Sequence, residues 1–122
     1  MTMAVKIKTK SGTIDIDNDV ISSVVGGAAT DNYGVVGMAS RNPLRDGVNQ
    51  ILRRENFARG VVVRQQDNGV AVDVNIIVGY GTKISEVSKS VQAKVKEKLE
   101  TMTGITTKSV NVCVQGVRTL ED

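Results

Sequence analysis

Apolar and polar positions alternate from the start of the chain. Val5 and Ile7 are spaced by Lys6 and Lys8, and after Ser11-Gly12 the run Thr13-Ile14-Asp15-Ile16 repeats the pattern. A period of two, broken by a Ser-Gly pair, predicts an N-terminal hairpin or one bent strand. The period then changes. Val20, Ile21, Val24, Val25, Ala28 and Ala29 recur at helical spacing behind Asp17 or Asn18, either of which can cap the first turn. Gly26-Gly27 weakens that helix by about 1 kcal/mol per glycine relative to alanine. The pair is assigned to close packing against a sheet.

A strand over residues 34–39 is predicted next. Asn42-Pro43 offers a capping side chain followed by a proline suited to the first helical turn. A second helix is therefore predicted, with Leu44, Val48, Ile51 and Leu52 on one face. Gly60 closes the connection to a strand that begins Val61-Val62-Val63. Asp67-Asn68-Gly69 predicts a hairpin turn. Beyond it Val70, Val72, Val74, Ile76 and Val78 point one way, and Ala71, Asp73, Asn75 and Ile77 the other. Ile84, Val87, Val91, Val95, Leu99 and Met102 form a helical stripe that Thr103-Gly104 ends. The last strand sets Val110, Val112 and Val114 against Asn111, Cys113 and Gln115.

Two of these strands carry one apolar and one largely polar face, whereas a sheet covered on both sides shows unbroken apolar runs. The expected class is α+β: a two-layer α/β sandwich, its mixed or antiparallel sheet bearing helices on one face. The other face is expected to be at least partly open. No repeat, linker or low-complexity stretch interrupts the pattern, so residues 1–122 are expected to form one domain.

Composition mainly excludes. The 122 residues include no histidine, which removes Ser-His-Asp and Cys-His catalysis, His-ligated metals and a His-based pH switch. Cys113 is the single cysteine, too few for an intramolecular disulfide or a zinc shell, and a lone thiol suits a reducing cytosol. No cofactor and no metal are expected. The first residues lack the apolar core of a secretory leader, and no apolar run approaches the roughly 20 residues that span a bilayer. A cytoplasmic setting is expected, with membrane association only through a partner or surface charge. The three aromatics are too few for a base-stacking platform.

Several constellations carry possible chemistry. Gly79-Tyr80-Gly81-Thr82-Lys83 precedes a helix as a phosphate loop does, but its lysine follows the threonine, so it is expected to be a strand-to-helix turn. Gly34-Val35-Val36-Gly37 has the Gly-x-x-Gly spacing of KH domains but places valines in a strand-like run. Asp15, Asp17 and Asp19 lack the glycine and glutamate of a Ca²⁺ loop and suit the start of a helix. Asp73 and Asn75 are expected on a solvated polar face. Cys113 shares that face and, having no histidine to activate it, is expected to pack.

The segment 41–64 concentrates charge. Arg41, Arg45, Arg53, Arg54, Arg59 and Arg64 face only Asp46 and Glu55, a local balance of +4 against +3 for the whole chain. Such a surface attracts acidic proteins, headgroups or nucleic acid. On the predicted second helix these arginines make no single stripe. The candidate partner-binding residues are Arg45, Arg53, Arg54 and Arg59, with Asp73 and Asn75 on the polar face. A basic α/β nucleic-acid-binding module is the alternative, favoured by a pI near 9.2 and opposed by the few aromatics.

The opening Gly12-Thr-Ile-Asp-Ile with Val20-Ile21 resembles the alkaline shock protein family, envelope stress response proteins of Gram-positive bacteria. So do Tyr33-Gly-Val-Val-Gly-Met38, residues 69–81 running into Ile84-Ser-Glu-Val87, and Met102-Thr-Gly-Ile105 with Val110-Asn-Val-Cys-Val114. The match runs in order over roughly residues 6–117. Residues 40–47 and 55–60 resemble the YloU-like branch, whose members often neighbour a dihydroxyacetone-kinase-like protein. The resemblance implies a cytoplasmic, non-enzymatic interaction protein of cell-envelope homeostasis with no catalytic residues. It further implies protein partners such as a separate membrane-anchoring protein, or self-assembly into a homo-oligomer.

Overall fold

The computed structural model describes residues 4–41 and 51–119. Strands β1 (Ala4–Thr9) and β2 (Gly12–Asp17) form a separate antiparallel hairpin, pairing Val5 with Ile16 and Ile7 with Ile14. Val5 is buried and Ile7 and Ile16 pack on the core, whereas Ile14 is exposed. Helix α1 (Asn18–Thr30) follows at once. Its N-cap is Asp17, whose carboxylate accepts the Asp19 N–H at 3.2 Å. Ile21, Val25, Ala28 and Ala29 face the core, but Val20, assigned to the same face, is half exposed. The apolar stripe is thus narrower than its spacing implies.

After β3 (Val35–Ala39) the predicted second helix needs correction. Asn42, Leu44, Arg45 and Val48 lie outside the described residues, but Ile51 and Leu52 form a short strand, β4 (Ile51–Leu52). It pairs antiparallel with β3, Met38 against Leu52 and Ala39 against Ile51. The strand is favoured because each side chain finds a place on a different side of the sheet. Leu52 joins Met38 in the core, and Ile51 lies over Gly37, where a Cβ would stand 2.6 Å from Ile51 Cγ2. A helical turn would have put both on one face. Residues Arg54–Gly60 then form a 3₁₀ segment with a non-helical break at Asn56.

Strand β5 (Val61–Gln66) turns through Asp67-Asn68 into the long β6 (Gly69–Gly79), Gln66 pairing with Gly69. Helix α2 (Ile84–Thr103) crosses back to β7 (Thr107–Arg118), which lies parallel to β6 along almost its full length. A parallel pair requires such a crossover. On the other edge of β6, β5 and β3 follow one another end to end, both antiparallel, with β4 outside β3. The sheet is therefore five-stranded and mixed.

Val70, Val72, Val74, Ile76 and Val78 of β6 meet Ile21 and Val25 of α1 and Val87, Val91, Val95 and Leu99 of α2 in one core. Fully burying each such side chain is worth about 1.5–3 kcal/mol. The ends of the α2 stripe, Ile84 and Met102, are exposed. Gly104 stops the helix: at φ 76° it adopts the left-handed cap, and its N–H bonds to the Glu100 carbonyl at 3.1 Å. The Gly26-Gly27 pair does not pack on the sheet as expected. Gly26 receives the buried ring of Phe57 from the 3₁₀ segment.

Candidate functional site

The face of the sheet opposite the helices is a polar ladder across three strands. On β6, Asp73 and Asn75 project to the same side, as alternation requires. The Arg64 guanidinium of β5 forks onto the Asp73 carboxylate, Nη1 on Oδ2 and Nη2 on Oδ1, the latter at 3.0 Å. From β7 the Asn111 amide donates to the same Oδ1 at 2.8 Å. The Arg64 hydrogen bond, helped by Asn111 and the guanidinium charge, holds the Asp73 carboxyl below the ordinary carboxylate range against a partly opposing loss of hydration. One rung further, the Asn75 amide donates to the Gly60 carbonyl at 3.0 Å and its oxygen accepts from Gln115 at 2.7 Å.

This arrangement corrects the expectation of a solvated face at Asn75, which is only 4% exposed with both ends of its amide engaged. It also divides the arginine segment. Arg64 belongs to the sheet face and is spent on Asp73, whereas Arg53, Arg54 and Arg59 lie exposed at or in the 3₁₀ segment. Arg45 is outside the described residues. The structure thus leaves Arg53, Arg54 and Arg59 exposed at or in one short segment, and Asp73 and Asn75 on the sheet. Cys113 is exposed instead of packed. In the 79–83 turn the Thr82 hydroxyl donates to the Gly79 carbonyl at 2.7 Å and Gly81 adopts φ 95°, so those residues build the turn itself.

One feature escaped the sequence pattern altogether. Between α1 and α2 runs a groove of about 520 Å³, floored by Val24, Gly27 and Ala28 and walled by Arg54, Lys98 and Met102. Arg54 reaches it from the 3₁₀ segment, where its guanidinium sits 5.9 Å from the Phe57 ring centroid. Among the described residues neither Arg54 nor Lys98 has an ion-pair partner. The only hint in the sequence was Met102, an apolar residue at the end of a helical stripe that has nothing to cover it.

Similarity to known proteins agrees with this architecture. Residues 6–119 match the model of the alkaline shock protein 23 family, described as having a cell envelope-related function. A Bacillus subtilis (strain 168) protein, YloU, is 55% identical over 116 residues, covering 95% of this chain and 97% of its own. A Streptococcus pyogenes stress response regulator gls24 homolog (serotype M6) is 29% identical over 112 residues, 90% of this chain and 61% of that protein. Among solved structures, the CTD of MamM superposes with a TM-score of 0.55 at 18% identity, covering 80% of this chain and 93% of that one. At that identity the likeness is one of fold.

Proposed function

The chain belongs to the alkaline shock protein 23 family, whose function is cell envelope-related, and on that footing we propose that it serves there as a non-enzymatic interaction protein. It recognises a protein partner through Arg53, Arg54 and Arg59, with Arg45 preceding them in sequence. Asp73 and Asn75 contribute by fixing the shape of the open sheet face. The observation that supports this reading is the anchoring of the 3₁₀ segment. Phe57 is buried against α1, so the arginines beside it are presented on a rigid base. Ordering costs that oppose association are lower for such a preorganised surface.

The setting that fits is the cytoplasm, with the envelope reached through a separate membrane-anchoring protein. A dihydroxyacetone-kinase-like protein and a second copy of the chain are further partners consistent with the family. Asp73 supports the non-enzymatic reading: its carboxylate is held ionised by Arg64 and Asn111, which leaves it poorly suited to proton transfer near neutral pH.

Changing Arg53 and Arg54 together to Glu reverses four units of charge on exposed positions. The circular dichroism spectrum should stay unchanged while crosslinked partner recovery from the native host falls sharply. Retained protein partners with loss of a tight, salt-sensitive RNA or DNA interaction would instead favour the nucleic-acid-binding module.

A further inference from the structure

We propose that the groove between α1 and α2 receives an acidic amphipathic helix of the partner protein. This rests on the interaction reading above and adds to it the place and the chemistry of the contact. The floor is the flank of α1 beside its core face, where Val24 is half buried and Gly27 and Ala28 add almost no side-chain bulk. Ser23 adds a hydroxyl there, and the Thr30 hydroxyl is already bonded to the Gly26 carbonyl at 2.8 Å. Gly27 has no heavy atom nearer its missing Cβ than Arg54 Nη1 at 3.9 Å, so the trough is open there. Met102 stands 65% exposed on the α2 wall, an apolar side chain with three rotatable bonds that adapts to an incoming apolar face.

The two walls carry charge of one sign. Arg54 comes from the 3₁₀ segment on one side of α1, and Lys98 from α2 on the other. Asp31, the one acid in the lining, lies at the groove's end and already faces Lys94 at 3.9 Å. A small-residue, partly apolar floor between two cations without an ion-pair partner among the described residues matches a helix with apolar residues at i, i+3, i+4 and i+7, flanked by Glu or Asp on both sides. A basic or purely apolar helix would leave Arg54 and Lys98 without partners as water is displaced, which is costly. The sheet face offers no comparable site, because its charged pair, Arg64 and Asp73, is already joined.

The test uses the full chain and a fluorescein-labelled synthetic helix of about 18 residues, roughly five turns, with a Leu stripe flanked by Glu. One control carries Lys in place of Glu, and a second has the same composition with the Glu scattered around the helix. The Glu-flanked peptide should bind, by anisotropy, at least about tenfold more tightly than either control, and salt should weaken it. K98E and M102E, both at exposed positions, should each weaken binding by about tenfold while leaving the thermal transition in place. A benzophenone side chain at position 102 should crosslink to the peptide, and one at Asn111 on the opposite face should not. Equal binding of all three peptides, or Kd values unmoved by K98E and M102E, would overturn the groove. Partner recovery that still depends on Arg53 and Arg54 in that case would leave the broader interaction reading standing.

Discussion

Gly26 of α1 lies directly against the ring of Phe57: a Cβ at Gly26 would stand 2.3 Å from Phe57 Cδ2 and 2.7 Å from Cγ. Real side chains do not approach so closely, and the ring is only 5% exposed, with little room to retreat. The contact fixes the 3₁₀ segment, and with it Arg53 and Arg54, on the helical layer.

Neighbouring glycines should therefore respond in opposite directions. Gly26→Ala forces the Phe57 ring out of place and should destabilise by about 1–3 kcal/mol, the usual cost of overpacking. Gly27→Ala meets only Arg54 Nη1 at 3.9 Å and should gain about 0.5–1 kcal/mol from helix propensity. Urea denaturation of both variants measures the contrast, and shifts of the same sign would contradict this account of the packing.

Adjacent positions of β6 make a second comparison. Val74 is fully buried in the core, so Val74→Asp should abolish the cooperative transition by burying an unpaired charge. Asn75 looks replaceable from the sequence, because its neighbours on that face are polar. In the structure Asn75→Asp loses the donor to the Gly60 carbonyl and sets a carboxylate beside it. A cost of about 1–3 kcal/mol is expected. A variant as stable as the parent would show that Asn75 is solvated after all.

The Asp73 carboxyl is held below its ordinary value mainly by the Arg64 hydrogen bond. A carboxyl whose folded pKa is depressed stabilises the protein above its unfolded pKa of about 3.9, and loses that contribution as the pH falls through the lower folded value. The stability gap between the parent and Asp73→Asn should thus be level from pH 7 to about pH 5 and close progressively below about pH 4. Denaturation curves across that range test the sign. Because the Arg64 side chain is nearly half exposed, the gap should be small and should shrink further in high salt.

Thr107 opens β7 with its hydroxyl buried, and Oγ1 is the one buried side-chain polar atom without a hydrogen-bond partner among the described residues. Its backbone N–H is satisfied separately by the Glu100 carboxylate at 3.1 Å. Thr107→Val keeps the branched shape and removes the unpaired group, so stability should rise by about 1 kcal/mol. A loss of similar size, read by thermal melting, would mean that the hydroxyl has an ordered water partner.

Local periodicity determined much of this protein. The phase of β6, the core face of α2 and the Gly104 stop all follow from the spacing of apolar residues, since alternation and helical repeat are properties of a short stretch of chain. The single helical layer follows from one apolar and one polar face on two strands, whereas the parallel pairing of β6 with β7, which makes the sheet mixed, does not. The absence of histidine and the single cysteine narrowed the chemistry without any coordinates.

Tertiary structure alone decided the rest, because it depends on residues distant in sequence. Ile51 and Leu52 read as helix by spacing but become a strand, since Gly37 and Met38 supply the surfaces they need. Asn75 is buried only because Gln115, 40 residues away, reaches its oxygen from β7 while Gly60 takes its amide. Arg64 is separated from the other arginines of its segment because β5 sets it beside Asp73, while Phe57 anchors Arg53 and Arg54 against α1. The groove exists only where α1, the 3₁₀ segment and α2 meet, so no window of sequence contains it. Periodicity records which side chains avoid water, and only packing decides which of the remainder stand together.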